Sequence, residues 1–131
     1  MRSIVISPHP DDEVLGAGGT LFKRNTIKKN SLYWIIVTRL HPSTPKKKIV
    51  RRNYEIKKIS AIFKFKKVFQ LNFNTTELDN SSKKKLILNF SDIFNEIKPD
   101  ELFVPHFSDV HSDHKIVSEV ISSSTKNFRF P

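Results

Sequence analysis

Ser3-Ile4-Val5-Ile6-Ser7-Pro8-His9-Pro10-Asp11-Asp12-Glu13 is the stretch on which the reading of this chain turns. Ile4, Val5 and Ile6 follow one another without a polar break, the pattern of a strand buried on both faces, here residues 3–7. Pro8 and Pro10 end it, because proline has no N–H to give a sheet ladder. Asp11 and Asp12 then suit the start of a helix, where carboxylates meet unpaired N–H groups and the positive end of the dipole. The helix carries Val14, Leu15, Leu21 and Phe22 at helical spacing.

The same alternation continues outward. Residues 32–38 read as a second buried strand and residues 41–48, with Pro42, Pro45 and three lysines, as a loop. A helix over residues 50–63 puts Ile56, Ile59 and Phe63 on one face. Residues 67–73 read as a third strand and the polar residues 74–82 as a loop. Residues 83–98 form the clearest amphipathic helix, with Leu86, Phe90, Ile93, Phe94 and Ile97 on one side and Pro99 as its stop. Residues 101–105 make a fourth strand. A last helix over residues 112–123 turns Ile116, Val117, Val120 and Ile121 inward, and the polar tail 122–131 is expected to be loosely held. Apolar strands alternating with helices predict parallel pairing. With right-handed crossovers the fold class is α/β, a Rossmann-like, doubly wound, mainly parallel sheet with helices on both faces.

That topology gives a second stretch its meaning. Asp109-Val110-His111-Ser112-Asp113-His114 follows the fourth strand as His9-Pro10-Asp11-Asp12-Glu13 follows the first. Open parallel sheets bind ligands beyond the carboxyl ends of their strands. Adjacent strands lie about 5 Å apart, so side chains leaving two neighbouring strand ends can share one ion. Imidazoles with carboxylates suit zinc, which in catalytic sites takes three protein ligands and keeps a position for water. Such water ionises near neutral pH and becomes a nucleophile, a second carboxylate can take its proton, and a further histidine can stabilise an oxyanion. Each motif alone is a weak signal; their joint placement at strand ends makes a metal-dependent hydrolase the leading reading. Residue chemistry does not say which aspartate binds the ion.

The chain has 131 residues and 37% hydrophobic content, enough for one packed domain. It contains no cysteine, which excludes disulfides and thiolate metal sites and fits a cytoplasmic protein. No apolar run approaches the roughly 20 residues of a membrane span. The net charge of +10 attracts phosphates, anionic lipid surfaces or nucleic acid. Its lysines fall in short runs at helix ends and loops, where solvation is the ordinary explanation, so a dedicated nucleic-acid function is not expected.

The two outer motifs resemble a known family. Residues 4–13 together with Gly16-Ala17-Gly18-Gly19 are similar to the first motif of the LmbE/PIG-L-like N-deacetylases. Asp109-x-His111-x-Asp113-His114 is similar to their second, and Arg52-x-x-Glu55 resembles a weaker middle motif. The likeness covers almost the whole chain. It implies Zn2+ held by His9, Asp12 and His114, with Asp11 as the base that activates water. His111 would stabilise the tetrahedral intermediate or protonate the leaving amine, Asp113 would orient and charge-balance His111, and Arg52 would reach the substrate. The implied reaction removes an N-acetyl group from an N-acetylglucosamine-type sugar, a small-molecule acetamido-sugar conjugate whose anionic portion a basic surface could welcome. Family domains usually continue beyond a fourth helix, so residues 1–131 are expected to be a single domain lacking the usual C-terminal part. A homo-oligomer is compatible with this reading. The loop over residues 39–48 departs from the family by lacking its Gly- and Glu-bearing pattern.

Competing readings fit the residues less well. Gly16, Gly18 and Gly19 lack dinucleotide-loop spacing, and close packing of their helix on the sheet explains them better. His41 and His106 read as loop or pocket-rim residues, and Glu13 as a brace. Trp34 and the eleven Phe are core, apart from one or two near strand ends that could stack on a sugar. A non-haem iron oxygenase using His9, Asp11 and a distal His calls for an all-β barrel. A phosphoesterase would bring two metals, and an inactive binding module with a basic face would have no use for the full acid–base set.

Overall fold

The computed structural model describes residues 1–127, and the last part of the tail, residues 128–131, lies outside them. Four strands form one sheet: β1 (Arg2–Ser7), β2 (Ser31–Arg39), β3 (Lys67–Asn74) and β4 (Glu101–Phe103). Four helices alternate with them: α1 (Asp12–Asn25), α2 (Lys46–Phe63), α3 (Lys83–Ile97) and α4 (Ser112–Ser124). Short 3-10 turns follow β3 and α4, at Leu78–Asn80 and Thr125–Asn127. The strand order is β3-β2-β1-β4 and every pairing is parallel. The α/β fold is the expected one. The order reverses between β1 and β4, so the loops leaving their carboxyl ends turn to opposite faces of the sheet and leave a crevice between them.

Strand periodicity sorts the core into two layers. Ile4, Ile6, Tyr33, Ile35 and Val37 face one way and meet Leu86, Phe90 and Phe94 of α3 with Val117, Val120 and Ile121 of α4. Val5, Leu32, Trp34 and Ile36 face the other way and meet Leu21 of α1 with Ile56 and Phe63 of α2. Each predicted apolar face of α2, α3 and α4 lies against the sheet, Ile59 and Ile116 being only partly buried.

α1 differs from its sequence reading. Val14, Leu15 and Phe22 are exposed, and Leu21 with Gly18 and Glu13 fills the inward face. Close packing on the sheet does not explain the glycines either. A Cβ at Gly16 or Gly19 would meet nothing within 4 Å, and one at Gly18 would lie 3.9 Å from Phe63 of α2. The helix starts where expected, but Asp11 at its N-cap makes no side-chain capping bond. β4 is shorter than expected, and Val104 beyond it is half exposed. The tail is partly tied down: Ser124 is buried and its hydroxyl donates to the Val120 carbonyl. No helix among the described residues is long and apolar enough to cross a membrane.

β4 has only three residues, yet polar bonds anchor it. Glu101 accepts two hydrogen bonds from Arg24 of α1, at 2.8 and 3.2 Å, and one from the Ser3 hydroxyl of β1 at 2.8 Å. The Arg24 guanidinium, aided by Ser3, holds the Glu101 carboxyl below its usual range, against the opposing effect of burial. A carboxyl held low adds stability above its unfolded pKa, and that stability disappears as pH falls through the folded value. Glu101→Gln should therefore flatten the acid limb of stability against pH, measured by denaturant unfolding below the ordinary glutamate range. Phe90 is fully buried on α3. Phe90→Ala should cost about 3–5 kcal/mol in the same measurement, against roughly 0.5 kcal/mol or less for Leu88→Ala on the exposed side.

Candidate metal centre

β1 and β4 deliver the two motifs to the crevice. His9 stands two residues beyond β1, and Asp12 is the first residue of α1. His111 is the N-cap of α4, with His114 in its first turn. Three atoms converge there. His9 Nδ1 lies 3.3 Å from His114 Nε2 and 3.7 Å from Asp12 Oδ2, and the last two lie 3.3 Å apart.

The hydrogen bonds around these atoms define what they can do. The outer nitrogen of His9, Nε2, meets Asp113 Oδ2 at 2.9 Å. The outer nitrogen of His114, Nδ1, meets Asp109 Oδ2 at 3.0 Å. A carboxylate only accepts, so in the neutral imidazoles that bind metals each outer nitrogen carries the hydrogen and each inner nitrogen is a lone pair. Two lone pairs and a carboxylate oxygen thus face one another with no hydrogen between them. A cation resolves that arrangement. Three ligands about 2.0–2.2 Å from zinc at tetrahedral angles stand roughly 3.3–3.6 Å apart, close to the 3.3, 3.3 and 3.7 Å found here. The donor set fits zinc, and histidines braced by carboxylates on the far side are what metal sites ordinarily require.

A second group, His9, His111 and Asp113, also brings three ligand atoms within 4.8 Å. Its carboxylate is the more fully occupied of the two, since Asp12 Oδ2 accepts a single N–H, that of His9 at 2.8 Å. Asp113 is fully buried; Oδ2 accepts from the Thr76 N–H at 2.8 Å as well as from His9, and Oδ1 accepts from the Leu78 N–H. The first group is therefore the better metal site.

Asp113 is positioned otherwise than the sequence suggested. Its carboxylate braces His9, not His111, and only its backbone N–H reaches His111, donating to Nδ1 at 3.1 Å. That bond leaves the hydrogen of a neutral His111 on Nε2. Asp11 and His111 both line a cavity of about 740 Å³ on the β2 and α2 side of the crevice. Its lining mixes polar side chains, among them Arg39, Asn53, Lys57 and Gln70, with Leu40, Ile49 and Ile56. Arg52 lines it too, but its Nη1 donates to the Pro10 carbonyl at 2.8 Å and so grips the loop that bears His9 and Asp11.

Glu13 has a further bracing role. It is buried, and its Oε2 accepts from the Asp11 N–H and from the Ser7 hydroxyl, each at 3.0 Å. Ser7 in turn accepts from Trp34 Nε1, and the tryptophan is fully buried in the core. Burial pushes the Glu13 carboxyl up, against the hydrogen bonds that favour its charged form. The His111 N–H and the neighbouring His114 hold Asp109 below its usual range, burial opposing them. His41 is an exposed loop residue bonded to Ser43, and His106 and Phe107 are exposed beyond β4. Sequence reasoning gave Asp109 no role and did not find the Thr76 amide. No local pattern announces the second; the first stands five residues before His114 in the motif.

The fold and the crevice agree with the comparisons. Residues 4–124 match the PIG-L family, described as GlcNAc-PI de-N-acetylase, and the chain belongs to that family. No curated protein gives a significant sequence match. The conserved protein TT1542 from Thermus thermophilus superposes with a TM-score of 0.80 at 26% identity, over 94% of this chain and 54% of that one. The N,N'-diacetylchitobiose deacetylase from Pyrococcus horikoshii gives a TM-score of 0.79 at 25% identity, over 95% and 49%. The 4-carboxy-2-hydroxymuconate hydratase GalB from Pseudomonas putida shares the fold at a TM-score of 0.77 and 16% identity, over 95% and 55%. The chain thus spans about half the length of these structures.

If the bracing carboxylates set the ligand orientation, Asp109→Asn and Asp113→Asn should each weaken zinc binding about 10–100-fold. Chelator-competition titration reads this directly. Unchanged affinity in both variants would contradict the geometry described.

Proposed function

We propose that this chain is a zinc-dependent N-deacetylase acting on an acetamido-sugar conjugate. The observation that carries the proposal is the meeting of two imidazole lone pairs and one carboxylate oxygen beside the cavity. His9, Asp12 and His114 would hold the ion. Zinc in such a site polarises an amide carbonyl and makes water more acidic. Asp11 is the proton acceptor: its side chain is exposed at the cavity wall and makes no capping bond. His111 offers an Nε2–H at the same cavity. It can donate to the oxygen on which negative charge develops and pass a proton to the departing amine.

Arg52 and Asp113 act mainly by positioning. Arg52 holds the Pro10 carbonyl and thereby the loop of His9 and Asp11, its Nε lies 3.8 Å from Glu55 Oε2, and the residue lines the cavity where a substrate would sit. Asp113 fixes His9 through Oδ2 and His111 through its N–H. The cavity is of ligand size and its amides and hydroxyls suit the hydroxyls of a sugar. Family membership and the likeness to a diacetylchitobiose deacetylase support the same class of substrate. A two-metal phosphoesterase fits less well, since a second ion on His9, His111 and Asp113 would have to break the His9–Asp113 bond.

Metal analysis of the purified chain, with acetate release from a panel of N-acetylglucosamine conjugates, tests the proposal. Asp11→Asn should keep the metal and lose about 10²–10⁴-fold in turnover. His114→Ala should lose the metal and the activity together. Metal loss in the first variant or full activity in the second would overturn the assigned roles.

A further inference from the structure

The two helical layers differ in what they show to solvent. The outer side of α3 and α4 exposes one large apolar residue, Leu88, and Lys83 ties the two helices together through Glu119 at 2.8 Å. The outer side of α1 and α2 exposes six: Val14, Leu15, Phe22, Val50, Tyr54 and Ile62. Charge divides the same way. α2 holds seven Lys or Arg and one Glu, a net +6 of the chain's +10, whereas α3 and α4 with four Lys and four acidic residues sum to zero.

The pattern on α2 is ordered. Lys47, Val50, Arg51, Tyr54, Lys58 and Ile62 recur every three or four residues and all are exposed, so apolar and basic side chains share one outward stripe. α1 lies alongside, with the Phe22 and Phe63 rings 4.9 Å apart. Between the helices runs a largely apolar groove of about 480 Å³, lined by Val14, Leu15, Trp34, Ile56 and Ile59, with Asp11, Glu55 and Lys58 also on its walls. Solvation alone accounts for exposed lysines. It does not account for aliphatic and aromatic side chains set among them on one face.

We propose that the outer face of α1 and α2 docks on anionic lipid bilayers. The basic side chains meet lipid headgroups while Leu15, Val50, Tyr54 and Ile62 enter the boundary below them, the division of labour of an interfacial amphipathic helix. Charge complementarity selects an anionic surface. Bulky aliphatic groups favour a bilayer over single-stranded nucleic acid, which rewards stacking rings in place of Val and Ile. Docking in this orientation brings the interhelical groove toward the lipid surface, and Asp11 lines both that groove and the larger cavity.

Co-sedimentation of the full chain with vesicles tests this. One set is phosphatidylcholine alone and the other contains about one-third phosphatidylserine, both in about 0.15 M salt. Binding should occur on the second set only and weaken severalfold or more when salt is raised to about 0.5 M. Lys47→Glu with Lys58→Glu should weaken it at least about tenfold, and so should Leu15→Ser with Tyr54→Ser. All four positions are exposed, and circular dichroism checks that both variants fold. Equal binding to both vesicle sets, no binding to either, or indifference to salt would overturn the proposal. So would loss of binding through the charge variant with none through the apolar variant, the pattern expected of a nucleic-acid face. A dimer that the apolar variant dissolves, with vesicles left unbound, would also overturn it and assign the face to a second copy of the chain.

Discussion

The contact between His9 and Asp113 ties this molecule together at the candidate metal centre. It joins residues 104 positions apart at 2.9 Å, and it links the ends of β1 and β4 across the reversal of strand order. The buried Asp113 carboxylate also gathers the Thr76 and Leu78 N–H groups, so the loop after β3 is drawn to the same point. A buried carboxylate without donors would be strongly unfavourable. Here three N–H donors converge on it, and the satisfied cluster in turn aims the lone pair of His9 at Asp12 and His114. The geometry of the centre is therefore set one layer behind the atoms that would touch an ion.

Much of this was legible in the chain. Continuous apolar strands and the clean stripe of α3, with Leu86, Phe90, Ile93, Phe94 and Ile97 all buried, led to the α/β sheet because burial on both strand faces leaves no other consistent packing. Family membership was legible from the two outer motifs. So was the meeting of those motifs, since strand ends at a reversal of order are where ligands bind.

The errors share a physical origin. Val14, Leu15 and Phe22 looked like a core stripe because periodicity reports amphipathicity without saying which partner covers the apolar side. Glu13, read as a brace, does brace the first motif, and it takes the inward place on α1 because the Ser7 hydroxyl and the Asp11 N–H donate to it. The pairing of Asp113 with His9 could not be read from spacing, because His111 is nearer in sequence and only the packing of α4 on the loop after β3 decides the matter. Hydrogen bonds between distant segments are the part of a fold that local pattern carries least.

α1 shows why a metal and a fold would depend on each other here. It holds three glycines, each roughly 1 kcal/mol poorer than alanine in a helix interior, and it buries only Glu13, Gly18 and Leu21. Such a helix is held less by its own core than by its ends. At the C-terminal end Arg24 grips Glu101. At the N-terminal end Asp12 accepts the His9 N–H at 2.8 Å and presents Oδ2 to the two imidazoles. An ion shared by His9, Asp12 and His114 would bind the folded arrangement and not the unfolded chain, so its binding energy would become folding energy. It would fasten the start of α1, a helix that buries few apolar side chains, to the start of α4.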